Sequence, residues 1–284
     1  MEEADLGPPL RTVIAQYGLD ARKALGQHFL LDLNLTRKIA RGAAPLDDAQ
    51  IIEIGPGPGG LTRALLLEGA RDVIAIERDP RCVDALADLA ARAQGRLRII
   101  TGDALKLAEC DIVAPGRAVK IVSNLPYNIS TALLAKWLTV EPWPPYFDSL
   151  TLMFQREVAD RLIAEPRSKA YGRLSVLTQW RTRVRRLFDV PPQAFTPPPA
   201  IVSSVLHIEP RATPEPAASS AMQAVLAAAF NQRRKMLRSA LKPLGNAGAL
   251  LARAQIDDHL RAEDLDVAAF AALARAFDAM RAAQ

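Results

Sequence analysis

Cysteine is nearly absent, with only Cys82 and Cys110 among 284 residues. They stand far apart, with no Cys-x-x-Cys spacing and no histidine partner, which argues against a disulfide framework or a zinc site. Both read as small buried hydrophobes, no metal is expected, and a reducing cytoplasm is the expected compartment. Of the three histidines, His207 and His259 have no supporting constellation of ligands or nucleophiles. No apolar run approaches the ~18 residues that a membrane span needs, so no membrane partner is expected. The opening Met1-Glu-Glu-Ala-Asp5 is acidic, which speaks against a secretory signal or an Arg-rich transit peptide. No internal repeat or low-complexity tract stands out.

What is present is a globular composition, 50% hydrophobic and 24% charged, with enough chain for one large and one small domain. The net charge of +5 is weak evidence for a polyanionic partner, and its distribution is better evidence. Arg181, Arg183, Arg185 and Arg186 form one basic cluster; Arg233, Arg234, Lys235, Arg238 and Lys242 form another. Solvated faces would explain either cluster alone. Beside a base-reading motif, two clusters favour nucleic acid, with Arg233, Arg234, Lys235 and Arg238 as the candidate RNA contacts.

Short β-branched runs alternate with helical patterns through the first two thirds. Strands are expected at Ile51–Ile54, Val73–Glu77, Leu97–Thr101, Val119–Ser123 and Leu150–Phe154. Nearly continuous apolar strands separated by helices predict a parallel sheet covered on both faces. Val202–Ile208 reads as an antiparallel addition at the sheet edge. The punctuation at Pro210–Pro216 places a boundary between a domain of residues 1–210 and a helical domain of residues 211–284. In the latter, Leu226, Phe230, Leu237, Leu241 and Leu244 predict one buried helical stripe, with Lys235, Arg238 and Lys242 on another face of the same helix.

Two motifs carry chemistry. Glu53-Ile-Gly-Pro-Gly-Pro-Gly-Gly60 leaves a strand and enters a helix, and its glycines permit close backbone approach to a nucleotide-like cofactor. Alone, such a loop is only a tight turn. Glu77 ends the second strand 22 residues after Gly55, near the ~20-residue interval at which an acid reaches a ribose hydroxyl. Asp103 ends the third strand, placed to accept from an adenine amino group. The dinucleotide template Gly-x-Gly-x-x-Gly fits only from Gly57 and then puts Thr62 at its last glycine. Read as Glu-x-Gly-x-Gly-x-Gly, with Gly55 and Gly57 at the turn, the loop takes the S-adenosylmethionine form, with Glu53 near the amino-acid end of that cofactor.

The second motif, Asn124-Leu-Pro-Tyr127, follows the fourth strand. An adenine amine is a poor nucleophile because its lone pair is delocalised into the ring. The Asn124 amide oxygen and the Leu125 carbonyl can accept its two N–H bonds, Pro126 fixes the loop direction, and Tyr127 can stack on the base for ~1–3 kcal/mol. A helix-capping turn is the alternative reading of these residues.

At these residues the chain resembles the small-subunit ribosomal RNA adenine dimethyltransferase family. The likeness runs from Lys23-Ala-Leu-Gly-Gln-His-Phe-Leu30 through Glu53–Thr62, Glu77, Gly102-Asp103 and Asn124–Ser130. It resumes in Phe154–Ala159, Tyr171–Ser175 and Phe195–Ser204, and closes with Phe230–Arg238. The resemblance implies a Rossmann-like S-adenosylmethionine-dependent methyltransferase sheet with a smaller all-helical C-terminal domain. It implies cofactor contacts at His28, Leu30, Gly55, Glu77, Asp103 and Asn124. The implied reaction is the transfer of two methyls to each of two adjacent adenosines in a hairpin loop of 16S ribosomal RNA, during ribosome biogenesis. His28 stands where many members have Asn. Ala200 stands where many have Lys, which implies one RNA contact fewer.

Several alternatives differ at identifiable positions. Methylation of large-subunit ribosomal RNA shares the chemistry, but Phe230–Arg238 and Asn124–Ser130 favour the small-subunit branch. A DNA adenine methyltransferase more often carries Asp-Pro-Pro-Tyr, and a protein glutamine methyltransferase Asn-Pro-Pro-Tyr; Leu125 argues against both. A different class is an assembly factor that mainly occupies immature small subunits by binding RNA. Nothing in the sequence demands more than a monomer.

Overall fold

The structure, a computed structural model, describes residues 2–19 and 28–283, so Lys23–Gln27 of the Lys23–Leu30 motif lie outside the described residues. The chain divides into two compact units. The first comprises Met1–Trp137, Pro145–Ala159 and Arg185–Pro210. The second comprises Leu138–Pro144, Asp160–Val184 and Arg211–Gln284, so the segment expected to be helical is joined there by two earlier stretches.

In chain order the strands are β1 (Phe29–Leu30), β2 (Gln50–Ile54), β3 (Asp72–Glu77), β4 (Leu97–Thr101), β5 (Val119–Ser123), β6 (Ser149–Gln155), β7 (Thr182–Val190), β8 (Phe195–Thr196) and β9 (Ser203–Pro210). The helices are α1 (Leu10–Gln16), α2 (Leu33–Arg41), α3 (Gly60–Leu67), α4 (Pro80–Arg92), α5 (Ser130–Leu138), α6 (Arg156–Leu162), α7 (Arg173–Arg181), α8 (Ser219–Asn231), α9 (Leu237–Ala240), α10 (Ala247–Ala254) and α11 (Val267–Ala282).

Seven strands form the main sheet in the order β4-β3-β2-β5-β6-β9-β7. β2 pairs in parallel with β3 and with β5, and the β3–β4 and β5–β6 pairs are also parallel. The chain therefore builds outward from β2 to β4, then returns to the other side of β2 to place β5. This reversal leaves a crevice beyond the carboxyl ends of β2 and β5, where ligands sit in open α/β sheets. All five residues of β2 are buried, consistent with a strand covered on both faces. Leu61, Leu65 and Leu66 of α3 share a core cluster with Ile51 of β2. Each such side chain contributes roughly 1.5–3 kcal/mol by leaving water. Ser123 at the end of β5 donates to the carbonyl of Ile54 at 2.6 Å and ties the two strand ends together.

Three expectations need correction. The strand at Ser203–Pro210 is antiparallel to β6 as expected, but it is not the edge, because β7 lies outside it. β7 was read only as a basic cluster. Its exposed Arg183 and Arg185 alternate with less exposed Thr182, Val184 and Arg186, as on a strand whose charges discourage edge pairing. Cys82 is buried on the inner face of α4, but Cys110 is exposed, in a short 3-10 helix at Glu109–Asp111.

The third correction concerns the second unit. The single long helix expected from Leu226 to Leu244 breaks after Asn231, and a turn at residues 232–235 precedes the short α9. Leu226, Leu237 and Leu241 are nonetheless all fully buried, because both segments face the same core. That core includes Phe230 stacked on Phe270 at 5.5 Å and edge-on to Tyr171 at 6.2 Å. The Tyr171 hydroxyl donates to the Leu265 carbonyl at 2.8 Å. Among the described residues no helix is long and apolar enough to cross a membrane.

Candidate active site

The crevice beyond β2 and β5 opens into a cavity of about 340 Å³ in the first unit. His28, Leu30, Glu53, Gly55, Gly57, Glu77, Asp103, Asn124, Leu125, Pro126 and Tyr127 all line it, so the structure gathers every residue expected to bind cofactor or act on the base. Local chain geometry explains why. Gly57 has φ of +57°, and a Cβ there would meet the Phe29 ring at 3.0 Å. Gly60 opens α3 with its Cα so close to β1 that a Cβ would stand 2.6 Å from the Leu30 carbonyl oxygen. Any side chain at these positions would displace the segment that closes the pocket.

Three acids set the electrostatics. Glu53 is 1% exposed and accepts from the Thr62 hydroxyl at 2.6 Å. Burial pushes its carboxyl up to about 8; the Glu77 charge adds to this, and the Thr62 bond opposes it. Thr62 thus has a role that a glycine could not fill, which explains why the dinucleotide spacing fails there. Glu77 accepts from the backbone amides of Gly57, Arg78 and Asp79 at 3.0, 2.7 and 2.8 Å. Burial raises its pKa against the pull of those bonds. Asp103 accepts from the Leu105 amide at 3.0 Å, with the Arg78 guanidinium 3.9 Å away. The loop carrying Asp103 is pinned from α5, where the Lys136 ammonium donates to the carbonyls of Ala104 and Leu107 and to Glu109. Among the described residues no cation pairs with Glu53 or Glu77.

The other wall is built for a flat, hydrogen-bonding ligand. The Asn124 Nδ2 donates to the His28 carbonyl at 3.2 Å, which leaves Oδ1 as the acceptor of that amide. The Leu125 carbonyl accepts from no other group among the described residues. These are two acceptors on consecutive residues of the cavity wall, the number that the two N–H groups of one exocyclic amine require. The Tyr127 ring packs against His28 with centroids 5.4 Å apart, and its hydroxyl bonds Ser203 Oγ at 2.6 Å. His28 Nδ1 donates to the Pro197 carbonyl at 2.8 Å, and β1 pairs antiparallel with β8. Residues 28–30 are thereby tied to residues 195–197 and to Asn124 at once. Sequence reasoning assigned no role to Thr62 or Ser203. Thr62 was visible as the residue that broke a template, whereas Ser203 stood only within the Phe195–Ser204 stretch, with nothing to mark its partner.

The sequence profile of the ribosomal RNA adenine dimethylases matches residues 18–279. The chain belongs to that family. Curated relatives agree over nearly the full length. The ribosomal RNA small subunit methyltransferase A of Azorhizobium caulinodans is 59% identical, covering 99% of this chain and 97% of its own. That of Mesorhizobium japonicum is 61% identical over 94% and 96%. Two solved structures share the fold at 24% identity. They are a dimethyladenosine transferase from Plasmodium falciparum (TM-score 0.74; 89% of this chain, 98% of that one) and the 23S rRNA methyltransferase ErmE (TM-score 0.64; 88% and 99%). As an adenine dimethylase, the chain is a methyltransferase with an RNA substrate and a Rossmann-like catalytic sheet. The relatives' names favour the small-subunit branch over the large-subunit alternative.

The basic residues of this dimethylase divide on inspection. Arg181 is 3% exposed, held between the Trp143 and Trp180 rings at 4.6 and 4.5 Å, and donates to the carbonyls of Leu138 and Val140. It is a core residue of the second unit. Arg233 binds Glu263 at 2.8 Å and donates to the carbonyls of Lys169 and Ser168 at 3.0 and 3.2 Å. Those bonds engage the guanidinium within the protein. Arg234, Lys235 and Arg238 are exposed, and none forms an ion pair among the described residues.

Proposed function

We propose that the chain dimethylates the N6 amines of two adjacent adenosines in a hairpin of 16S ribosomal RNA, using S-adenosylmethionine. The observation that carries this reading is the Asn124 amide, fixed by the His28 carbonyl so that its Oδ1 accepts, next in the chain to the unengaged Leu125 carbonyl and in the same cavity as Glu53 and Glu77, which pair with no cation among the described residues. The cofactor fits that cavity. Its ammonium charge suits Glu53, which has no cation partner among the described residues, and its ribose hydroxyls suit Glu77. When bound, S-adenosylmethionine supplies a methyl that is already electrophilic: the new N–C bond forms as the C–S bond breaks, its electron pair returning to sulfur.

The protein's own work is positioning. Glu77 is placed for the ribose hydroxyls and Asp103 for the cofactor's adenine amine. Gly55 and Gly57 let the backbone lie close, and residues 28–30 cover the pocket. Asn124 Oδ1 and the Leu125 carbonyl accept the N–H bonds of the target amine, which draws its nitrogen toward tetrahedral geometry and frees the lone pair. Pro126 fixes the loop, Tyr127 stacks on the base, and the amine proton leaves to solvent. Arg234, Lys235 and Arg238 supply phosphate contacts on the second unit. Such an enzyme works as a monomer in the cytoplasm, where ribosomes are assembled.

The test is to incubate the protein with labelled S-adenosylmethionine and undermethylated small subunits, alongside large subunits and duplex DNA, and to identify the labelled nucleoside. Dimethyladenosine from small subunits alone is expected. Label in large subunits or DNA instead would overturn the substrate assignment.

A further inference from the structure

We infer that Ser203 is a positioning residue for Tyr127, and that its hydrogen bond matters most in the second of two methyl transfers to one amine. The inference rests on the adenine reading above and assigns a role to a residue outside both motifs.

Ser203 begins β9, fully buried and paired in register with Gln155 of β6. A buried hydroxyl needs a partner, and the partner of this one is the Tyr127 phenol at 2.6 Å, 76 residues away in sequence. The Tyr127 ring is otherwise located by the His28 ring, itself held through Pro197. The ring that would stack on the target base is therefore anchored at its tip by the sheet and along its side by the pocket's cover. Without the Ser203 bond, the ring keeps its composition and loses its fixed angle.

The two transfers load this anchor differently. The unmodified amine offers two N–H groups, one for Asn124 Oδ1 and one for the Leu125 carbonyl. Each transfer replaces one N–H by N–CH3 and releases one proton to solvent, so the monomethylated amine has a single N–H left. One acceptor then faces a methyl group. The base is held by one hydrogen bond fewer at the moment its lone pair must again be aimed at the donor, and stacking must supply more of the orientation. A loosened Tyr127 therefore slows the second transfer more than the first.

The experiment follows both products over time on undermethylated small subunits, quantifying N6-methyladenosine and N6,N6-dimethyladenosine by mass spectrometry after digestion. The variants are Ser203→Ala, Tyr127→Phe and the double substitution. Tyr127→Phe removes the same hydrogen bond from the pocket side, so it carries the test alone should Ser203→Ala fold poorly. The first transfer should slow by about two- to tenfold, the scale of one hydrogen bond. The second should slow further, so that monomethyladenosine accumulates, and the double variant should be no worse than the poorer single one. Equal slowing of both steps, or multiplying losses in the double variant, would reduce Ser203 to support of its strand and overturn the inference. Wild-type protein that makes neither product would overturn the adenine reading together with it.

Discussion

The pocket of the first unit and the basic turn of the second unit are built on opposite plans. In the pocket almost every polar group is already engaged: Glu53 by Thr62, Glu77 by three amides, Asn124 by His28 and Tyr127 by Ser203. In the turn after α8, Arg233 is engaged while Arg234 and Lys235 beside it are exposed. Chemistry at a nitrogen needs angles and distances, so the structure fixes each atom. Phosphate recognition, as proposed for this turn, needs charge at a place, and here one arginine is bonded within the protein while its neighbours are exposed.

The sharpest way to break this comparison is Asn124→Ala. If the pocket works by positioning, losing one acceptor should lower methylation by about 10²–10³-fold, the scale of losing one preorganised transition-state contact. Binding of RNA, measured by filter retention, should be unchanged. Parallel loss of RNA affinity would show that the two regions are not separable.

Glu53 gives a subtler probe, because its carboxyl is pushed up to about 8. An acid whose pKa is raised on folding binds more protons in the folded state, so the folded state is favoured at low pH. Its contribution is fully present below the unfolded value near 4.5 and is lost as pH rises through about 8. Without ligand, the wild-type protein should lose thermal stability across that window relative to Glu53→Gln, which cannot ionise. Saturating S-adenosylmethionine should reduce the difference, by supplying positive charge to the ionised carboxylate. Identical melting profiles from pH 5 to 9 would contradict both the buried charge and its partner.

Legibility from sequence followed the same divide. Five parallel strands, the glycine loop and Asn124–Tyr127 were readable because period, turn chemistry and spacing are local. β7 was not, since its arginines hid a period of two: Arg183 and Arg185 point out, and Arg186 lies in the half-buried row. The helix break after Asn231 was missed because leucine spacing continued across it, with Leu237 and Leu241 returning to the same core. Arg181 and Arg233 were read as surface charges because nothing local announces a Trp143–Trp180 sandwich or carbonyls at Ser168 and Lys169. Ser203 is the extreme case: its partner lies 76 residues away.

Within the basic turn the comparison becomes finer. Arg233→Ala should cost about 1–2 kcal/mol of stability, as loss of a partly exposed charged hydrogen-bond set, and lower the melting temperature. Arg234→Ala should leave that temperature unchanged, since no hydrogen bond or ion pair of its side chain is found among the described residues.

The smallest expected effect is the most discriminating. If Arg234 touches one phosphate, its loss should reduce the slope of log affinity against log salt by about 0.7–0.9, with weaker binding at low salt and little change at high salt. Arg238→Ala should do the same, and the two should add, since each releases its own counterion. Arg233→Ala should weaken binding without removing a counterion of its own, because its charge already faces Glu263 at 2.8 Å. A slope change for Arg233→Ala as large as that for Arg234→Ala would mean that the guanidinium leaves Glu263 for phosphate when RNA binds. The anchor would then be part of the contact surface, and the turn would be organised by its substrate.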